Sequence, residues 1–294
     1  MKTVKERANA KINLYLDVLS KREDGFHDIK TVMHSVSFGD EITVNVKPSA
    51  QSSVRLTVEG NRFLPTDGRN LAVRAAYLFL EKAGLTADVE IRMVKRIPVA
   101  AGLAGGSTDA AAVLRALNKI FDKFFSIPAL NAIASELGSD VVYCLYGRCA
   151  LCEGRGELIT KIKTRLDGLY TVIAISNEHM STPTAYKALD VAFSDFDGTV
   201  ISDGEGRFKS LINSLGENNV SADGLYNIFE TAVLPMCPGA TAIKARLLEE
   251  GAIAAMMSGS GPSVFGIFNT FEDSKRACMA LRQAGFKAYY ARMI

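Results

Sequence analysis

The sequence predicts an α+β protein of two domains, and three observations support that prediction. Period-2 apolar stretches come first in the chain, and strand and helix patterns then alternate irregularly to the end. The length of 294 residues fits one large domain or two ordinary ones. A polar, glycine-bearing segment, GRGELITKIKTRLDG, indicates a boundary near residues 155–165. We therefore expect an N-terminal domain over 1–160 and a C-terminal domain over 161–294.

Composition disfavours several classes of protein. Hydrophobic residues make up 48% of the chain, charged residues 22%, and the formal net charge is +2, so neither disorder nor a nucleic-acid-binding surface is expected. The opening stretch MKTVKERANAK has no apolar core of signal-peptide length, and no run approaches the roughly 18 apolar residues of a membrane span. We expect a soluble cytoplasmic protein with neither a nucleic-acid nor a membrane partner.

The five cysteines leave two interpretations open. Cys149 and Cys152 have the C-x-x-C spacing of a zinc-ligand pair or a redox dithiol, but the other cysteines supply no second pair. The three histidines show no metal-binding spacing either. We favour buried structural thiols, because a free cysteine behaves as a small apolar residue, and we predict no structural metal.

The first predicted strand covers Ala8 to Val18. Its even positions are apolar and its odd positions mostly polar, which is typical of a strand with one buried face. Lys11 and Asn13 then project from the same face, about 6 to 7 Å apart. Taken alone, this segment favours a solvated strand face over a functional pair.

Further strands and a helix precede residue 100. The stretches SFGDEITVNVKP, SVRLTVEG and DVEIRMVKRIP show the same period of two. Between the second and third of them, Asn70 precedes a helical pattern as an N-cap residue, and Gly84 stands where that helix would end.

Two helices follow the third stretch. One begins near Ser107, a good N-cap residue, and the other has Pro128 near its start and Gly138 near its end. The remaining elements are, in order, a strand LYTVIAIS, a helix from about Thr184, an irregular stretch around 194–207, a helix GATAIKARLLEE, two strands around MSGSGPSVFGIF, a helix EDSKRACMALRQ and a strand KAYYAR. This order suits a ferredoxin-like split unit.

The segment PVAAGLAGGSTDAAAVLRALN joins a strand to a helix through small residues, and we call residues 98–108 the glycine loop. Small residues let a ligand approach the backbone, and the first N–H groups of a helix favour an anion. The spacing is neither that of Walker A nor that of the dinucleotide fingerprint. Phosphate binding and a plain strand-to-helix turn both remain open.

Phosphoryl transfer needs a cation, a magnesium ion and a carboxylate that accepts the proton of the acceptor hydroxyl. Lys11 could supply the cation, and Asp140 in ELGSDVVY could supply the carboxylate. Its apolar neighbours Val141 and Val142 suggest that Asp140 is only partly solvated. The local sequence by itself favours a turn or N-cap role for Asp140.

Four segments together resemble the GHMP small-molecule kinases over nearly the whole chain. They are ANAKINLYLDVLSKREDGFHDIKTVMHSVSFGDEI, PVAAGLAGGSTDAAAVLRALN, LGSDVVYCLYGRCALCEGRGE and MSGSGPSVFGIF. The resemblance implies mixed and antiparallel sheets with packed helices, an ATP-binding N-terminal domain and a substrate-side ferredoxin-like C-terminal domain. It places the active site in the cleft between the two domains.

The resemblance also implies an activity. The segment from Asp24 to His27 is similar to the family member whose small-molecule substrate carries cytidine diphosphate. The implied reaction is the ATP- and Mg²⁺-dependent phosphorylation of the 2-hydroxyl of a methylerythritol in the non-mevalonate isoprenoid precursor pathway. Homoserine or mevalonate kinases remain alternatives, although neither of those substrates has a base to stack on Phe26. A non-catalytic ligand-binding relative is a further alternative, against which the retained Lys11 and Asp140 count.

The resemblance assigns roles to individual residues. Asp140 would be the general base, and Lys11 would orient it and favour negative charge on the acceptor oxygen. ATP would contact the glycine loop, at Pro98, Ala101, Gly102, Leu103, Ala104, Gly105, Gly106, Ser107 and Thr108. Substrate would contact Asn13, Phe26, His27, Tyr186, Gly259 and Ser260. Asp109 raises a question, because a carboxylate in the first helical turn competes with phosphate for the same positive end.

Overall fold

The computed structural model describes residues 1–192 and 204–294, which form two compact units. Unit 1 comprises Met1–Ala10, Gly39–Val99 and Ala104–Gly147. Unit 2 comprises Lys11–Phe38, Ala100–Leu103 and Arg148–Ile294. The predicted boundary near residue 160 stays a prediction. Most of the predicted irregular stretch, residues 194–203, lies outside the described residues.

Eleven strands and nine α-helices occur in the described residues. The strands are β1 (Lys2–Lys21), β2 (His27–Pro48), β3 (Ser53–Glu59), β4 (Ala87–Val94), β5 (Cys149–Glu153), β6 (Leu158–Lys161), β7 (Tyr170–Ile175), β8 (Tyr226–Asn227), β9 (Ala254–Met257), β10 (Ser263–Phe268) and β11 (Lys287–Arg292). The helices are α1 (Leu71–Ala83), α2 (Gly105–Ile120), α3 (Ile127–Leu137), α4 (Ser139–Tyr146), α5 (Thr182–Ala192), α6 (Gly204–Gly216), α7 (Phe229–Val233), α8 (Pro238–Glu249) and α9 (Phe271–Gln283). The predicted α+β class is confirmed.

Unit 1 combines a mixed sheet with a helical layer. The second half of β2 runs antiparallel to β4, and β3 runs parallel to β4. Asn70 caps α1 by accepting a hydrogen bond from the Ala72 amide, and Gly84 ends the helix in the left-handed conformation, as predicted. Helix α3 has Pro128 in its first turn and ends before Gly138, also as predicted, and the structure shows that Ser126 caps it.

Helix α2 begins near Ser107, as predicted, but the predicted N-cap role of Ser107 is wrong. Helix α2 begins at Gly105, two residues before Ser107, and its N-cap residue is Ala104, which makes no side-chain capping bond. Ala104 adopts a left-handed conformation there, with φ of 56°, so the backbone enters the helix early. Ser107 is the third helical residue and not the N-cap, because Gly105 and Gly106 adopt helical conformation despite their low helix propensity.

Unit 2 contains the predicted ferredoxin-like layer. Strands β7, β9, β10 and β11 form an antiparallel sheet in the order β11-β7-β10-β9. Helix α8 lies between β7 and β9 in the chain, and α9 lies between β10 and β11, so the order is β-α-β-β-α-β. Apolar residues of both helices are buried with the sheet in a shared core that includes Ile243, Leu247 and Leu281.

The prediction that β1 has one buried face is wrong. Lys11, Asn13 and Asp17 on the polar face are 5%, 3% and 2% exposed, as deeply buried as the apolar positions between them. Burial of a polar face requires that its polar groups are satisfied internally. Apolar and polar residues alternate along this segment because both faces of the strand are covered. Apolar neighbours cover one face, and hydrogen-bonding neighbours cover the other.

All five cysteines are free and buried, which confirms the interpretation of them as structural thiols. Burial raises the pKa of the Cys149 thiol to about 12, so this thiol is protonated and unreactive near neutral pH. No helix in residues 1–192 and 204–294 is long and apolar enough to cross a membrane.

His34 is a buried histidine of β2 in unit 2. It lies opposite Cys149 of β5, and its Nδ1 is 2.7 Å from the Ser35 carbonyl oxygen. Burial lowers the pKa of His34 to about 4, and the bond to Ser35 opposes this only in part. The imidazole is therefore neutral in the folded protein and donates from Nδ1.

We predict that His34 makes stability fall as the pH drops from about 6.5 to about 4. The unfolded chain, with a histidine pKa near 6.5, binds a proton in this range that the folded chain does not. The loss is about 2 kcal/mol at pH 5 relative to pH 8. Urea unfolding of the wild type and of His34→Gln at both pH values should show that the variant lacks this difference. The exposed His179→Gln serves as control, and an equal pH dependence in His34→Gln and the wild type would contradict the assignment.

Candidate active site

The backbone of the glycine loop alternates in handedness. Ala100, Gly102 and Ala104 have positive φ values of 54°, 71° and 56°, whereas Ala101 and Leu103 between them do not. Such alternation turns successive N–H groups toward one side, which makes a concavity for an anion. The loop therefore has a backbone geometry that suits an anion such as phosphate, and its use as a phosphate site stays a prediction.

The first half of the glycine loop is held by hydrogen bonds to distant segments of unit 2. The Gly102 carbonyl accepts from Lys11 Nζ at 2.7 Å and from Ser258 Oγ at 3.1 Å. The Ser263 hydroxyl donates to the Ala101 carbonyl. A Cβ at Gly102 would lie 2.2 Å from the Ser258 carbonyl oxygen, and the φ is left-handed, so only glycine fits here.

Lys11 and Asn13 lie on the same face of β1, as predicted, and the structure shows that their side chains also contact each other. Lys11 Nζ donates to Asn13 Oδ1 at 2.7 Å, and Asn13 Nδ2 donates to Thr31 Oγ1 at 2.8 Å. The Thr31 hydroxyl in turn donates to the Tyr15 carbonyl at 2.6 Å. This chain of bonds orients the ammonium, and burial makes its charge act more strongly than at a surface. Lys11 can thus favour negative charge on a nearby oxygen.

The segment Ser258–Ser263, which contains the predicted substrate residues Gly259 and Ser260, also approaches Lys11. A Cβ at Gly259, where φ is 58°, would lie 3.2 Å from Lys11 Nζ and 3.1 Å from the Gly102 carbonyl oxygen. Unit 2 therefore brings together three segments of the chain that the sequence identified separately. Within the unit they form one polar cluster of Lys11, Asn13, Gly102, Ser258 and Gly259.

Two residues that sequence reasoning missed support this segment. Asn227 Nδ2 donates to the carbonyls of Met257 at 2.8 Å and Gly259 at 2.9 Å. Thr182 Oγ1 lies 3.1 Å from Ser260 Oγ, which is within hydrogen-bonding distance. Neither residue belongs to a recognisable motif, and each is far from its partner in the chain. Only their tertiary contacts identify them.

The second half of the glycine loop begins α2 in unit 1. Gly106 is exposed and Ser107 half-buried, so the first amides of the helix are accessible to a ligand. Thr108 is 2% exposed, and its hydroxyl donates to the Asn9 carbonyl at 2.9 Å. The Thr108 hydroxyl therefore ties α2 to β1, and Ser107 carries the better-exposed hydroxyl. Pro98 is half-buried at the start of the loop.

Asp140 is the second residue of α4 in unit 1. Its side chain is half-buried next to the buried Val141 and Val142, in line with the predicted partial solvation. In the part of the chain that the structure describes, its carboxylate makes no hydrogen bond or ion pair. Its lone pairs are therefore available to accept a proton from a bound alcohol.

His27 and Tyr186, two predicted substrate residues, stack on each other in unit 2. Their ring centroids are 4.6 Å apart and their planes differ by 26°. His27 Nε2 lies 3.0 Å from Asp190 Oδ1, and Lys21 Nζ donates to Asp190 Oδ2 at 2.6 Å. Burial raises the pKa of Asp190, but the hydrogen bonds from Lys21 and His27 outweigh burial and lower it. Asp190 thus orients the imidazole and fixes the proton on Nε2, a role that the sequence did not reveal.

Phe26 is exposed, in contrast to the partly buried His27 beside it. Its side chain is held by a tight turn in which Asp24 Oδ1 accepts from the Phe26 amide at 3.1 Å and Gly25 has a φ of 83°. The Arg155 guanidinium lies 5.1 Å from its ring centroid. More than half of the residue, 56%, is accessible to solvent, so an aromatic face is available to a ligand.

Two regions of the chain match family models. Residues 70–148 match the model described as GHMP kinases N terminal domain, and residues 204–288 match GHMP kinases C terminal. The first match includes the glycine loop and Asp140, and the second includes the serine and glycine residues at 258–261.

Curated relatives are similar over nearly the full chain. The chain is 39% identical to a protein named 4-diphosphocytidyl-2-C-methyl-D-erythritol kinase from Gloeobacter violaceus, over 96% of this chain and 91% of that protein. It is also 39% identical to a protein of the same name from Bacillus licheniformis, over 98% of this chain and 96% of that protein.

Solved structures share the fold. A crystal structure of 4-(cytidine 5'-diphospho)-2C-methyl-D-erythritol kinase superposes with a TM-score of 0.79 at 31% identity, covering 98% of both chains. A homoserine kinase from Cytophaga hutchinsonii superposes with a TM-score of 0.76 at 22% identity, covering 100% of this chain and 95% of the other. At that identity the second likeness concerns the fold alone.

Proposed function

The chain belongs to the GHMP kinase family, and we propose that it uses ATP to phosphorylate the 2-hydroxyl of 4-diphosphocytidyl-2-C-methyl-D-erythritol. The main support for this substrate is the 39% identity, over almost the whole chain, to relatives that are named for it. The buried Lys11 beside a phosphate-suited loop supports the reaction class.

The proposed reaction transfers the γ-phosphoryl group of ATP to the acceptor hydroxyl. Asp140 accepts the proton of the acceptor hydroxyl, and the oxygen forms a bond to the γ-phosphorus of ATP. The bond from that phosphorus to the bridging oxygen breaks, and ADP leaves. Lys11 lowers the energy of the negative charge that develops on the acceptor oxygen. Two observations support these roles: the Asp140 carboxylate accepts no hydrogen bond within the described residues, and Lys11 is buried.

The glycine loop is the proposed site of the ATP phosphates. Its alternating backbone and the accessible amides of Gly106 and Ser107 suit three consecutive phosphates. Magnesium, which enters with ATP, offsets the phosphate charge when bound. Asn13 and Ser260 are proposed to contact the alcohol part of the substrate, near Gly259.

The proposed cytosine site consists of Phe26, His27 and Tyr186. The exposed ring of Phe26 offers a stacking surface, and His27 is held by Asp190 in a fixed tautomer. A kinase of homoserine or mevalonate would have no use for a base-stacking residue at this position. The predicted cytoplasmic location and the predicted lack of a nucleic-acid partner stay predictions.

The first test is a substrate panel. Release of ADP should be measured with magnesium and ATP, in the presence of 4-diphosphocytidyl-2-C-methyl-D-erythritol, homoserine, mevalonate or no acceptor. We expect turnover with the cytidyl substrate alone. Turnover with another alcohol would support a kinase activity but contradict the proposed cytosine site. No turnover in any of the four assays would favour a non-catalytic ligand-binding protein.

We predict that Asp140→Asn and Lys11→Met each lower kcat by roughly 100- to 10,000-fold, because each removes a group that acts in the transition state. Steady-state kinetics with circular dichroism should show lost turnover in a folded protein. Asp223→Asn, a change at an exposed aspartate of unit 2, is the control and should retain activity. Near-full turnover in Asp140→Asn would remove Asp140 from the role of base.

We predict that Phe26→Ala raises the KM of the cytidyl substrate about tenfold and leaves the KM of ATP unchanged, since one base-stacking surface is lost. Phe63→Ala, which removes a phenylalanine that is 83% exposed in unit 1, is the matched control and should change neither constant. Equal changes in both KM values of Phe26→Ala would refute stacking on cytosine.

A further inference from the structure

A buried cluster of three charged side chains lies in unit 1 near the start of α2. Lys95 Nζ donates to Asp40 Oδ2 at 2.6 Å and to Asp109 Oδ2 at 2.6 Å. The side chain of Asp40 is fully buried, and those of Lys95 and Asp109 are each 4% exposed. The cluster joins three elements: β2, the turn that follows β4, and the second turn of α2. The proposed mechanism uses none of these residues.

Asp40 holds the lysine in place. Asp40 Oδ1 accepts from the Ile97 amide at 2.8 Å and also from the Arg96 amide, the two residues that follow Lys95. The turn that bears Lys95 is therefore bonded to β2 through both the side chain and the backbone. A carboxylate with this many donors is well compensated despite its burial. Lys95 is thus a rigid anchor.

The beginning of α2 has little local support of its own. The N-cap residue, Ala104, makes no side-chain capping bond, and the first two helical residues, Gly105 and Gly106, each cost about 1 kcal/mol of helix propensity relative to alanine. Thr108 provides one tether through its bond to Asn9. Asp109 provides the other through Lys95, and this bond comes from one turn inside the helix.

Lys95 also contacts the glycine loop directly. A Cβ placed on Gly105 would lie 3.1 Å from Lys95 Nζ and 3.0 Å from Ile97 Cγ2. The ammonium therefore lies against the first residue of α2, where the loop amides are free. A cation at a helix N-terminus is unfavourable for the helix but favourable for a bound phosphate. The Asp40 carboxylate offsets that charge in the absence of a ligand.

Asp109 accepts fewer hydrogen bonds than Asp40 does. Its Oδ1 is buried and makes no hydrogen bond within residues 1–192 and 204–294. Burial raises the pKa of Asp109 well above its usual range; the charge of Lys95 opposes this rise and that of Asp40 adds to it. The Asp109 side chain is 4% exposed and bonds to the Lys95 ammonium, so it faces the buried cluster and not the accessible amides at the helix start. This answers the question that the sequence raised about Asp109.

We propose that the Lys95–Asp109 hydrogen bond positions the beginning of α2 so that the loop amides are preorganised for the phosphates of ATP. Asp109 is then a positioning residue, acting through the helix, and Lys95 is its anchor. The inference rests on the proposed function only in taking ATP as the ligand of the glycine loop. This role gives a function to a buried cluster of charges whose desolvation lowers the stability of the fold.

The test compares Asp109→Ala with Asp109→Asn. Alanine removes the tether but keeps high helix propensity and leaves the Lys95–Asp40 pair neutral, so the unit is expected to fold. Asparagine keeps an oxygen that can accept from Lys95. Lys95→Met would leave a buried carboxylate uncompensated and is expected to unfold unit 1, so it is not informative.

We expect Asp109→Ala to raise the KM of ATP about tenfold, with kcat and the KM of the alcohol changed much less, and Asp109→Asn to restore most of the ATP affinity. Glu6→Gln is the matched control, because Glu6 pairs with Arg115 and Lys119 farther along the same helix. The control should lower the melting temperature without changing the KM of ATP. An unchanged KM of ATP in Asp109→Ala, with only a lower melting temperature, would overturn the proposal.

Direct titration of magnesium-ATP without an acceptor, followed by calorimetry, separates this inference from the proposed function. If the wild type binds ATP but phosphorylates none of the alcohols, the proposed function fails. The difference in ATP dissociation constant between Asp109→Ala and Asp109→Asn still decides the role of the tether. Equal, wild-type-like binding by both variants overturns it.

Discussion

The bond from the buried Lys11 ammonium to the Gly102 carbonyl is the interaction on which the site in unit 2 depends. A buried ammonium costs several kcal/mol unless its N–H groups are satisfied. Asn13 and Gly102 satisfy two of them at 2.7 Å each, and the Gly102 carbonyl reaches Lys11 only because the backbone is left-handed at Gly102. The glycine is therefore needed for the shape of the loop and for the compensation of the charge.

Unit 1 also contains a buried lysine, whose charge is compensated by different groups. Lys95 is as buried as Lys11, but its partners are the carboxylates of Asp40 and Asp109. A carboxylate neutralises the charge, whereas an amide or carbonyl oxygen supplies only a dipole. We infer that Lys95 is a structural anchor, whereas Lys11 is the residue proposed to act on a substrate oxygen. The two halves of the glycine loop are held by one lysine each.

The proposed cytosine site also has a side chain that is held by its neighbours. The imidazole of His27 is held by stacking on Tyr186 and by the bond to Asp190, which Lys21 also binds. A ring fixed in this way loses little conformational freedom when a ligand binds. Among the described residues, Phe26 is supported by its turn and by Arg155. The structure therefore places a rigid polar ring next to a more exposed apolar one.

The sequence by itself determined the elements and their order, because apolar periodicity, the Asn70 cap, the Gly84 terminator and the ferredoxin-like order are all properties of neighbouring residues. It also identified the glycine loop and the face shared by Lys11 and Asn13. Only the tertiary structure decided what covers those residues. The polar face of β1 is buried, Ser258 bonds to Gly102 across 156 positions, and Asp190 bonds to His27 across 163. Local patterns carry no information on such pairs, since each partner's surroundings depend on which distant segment packs against it.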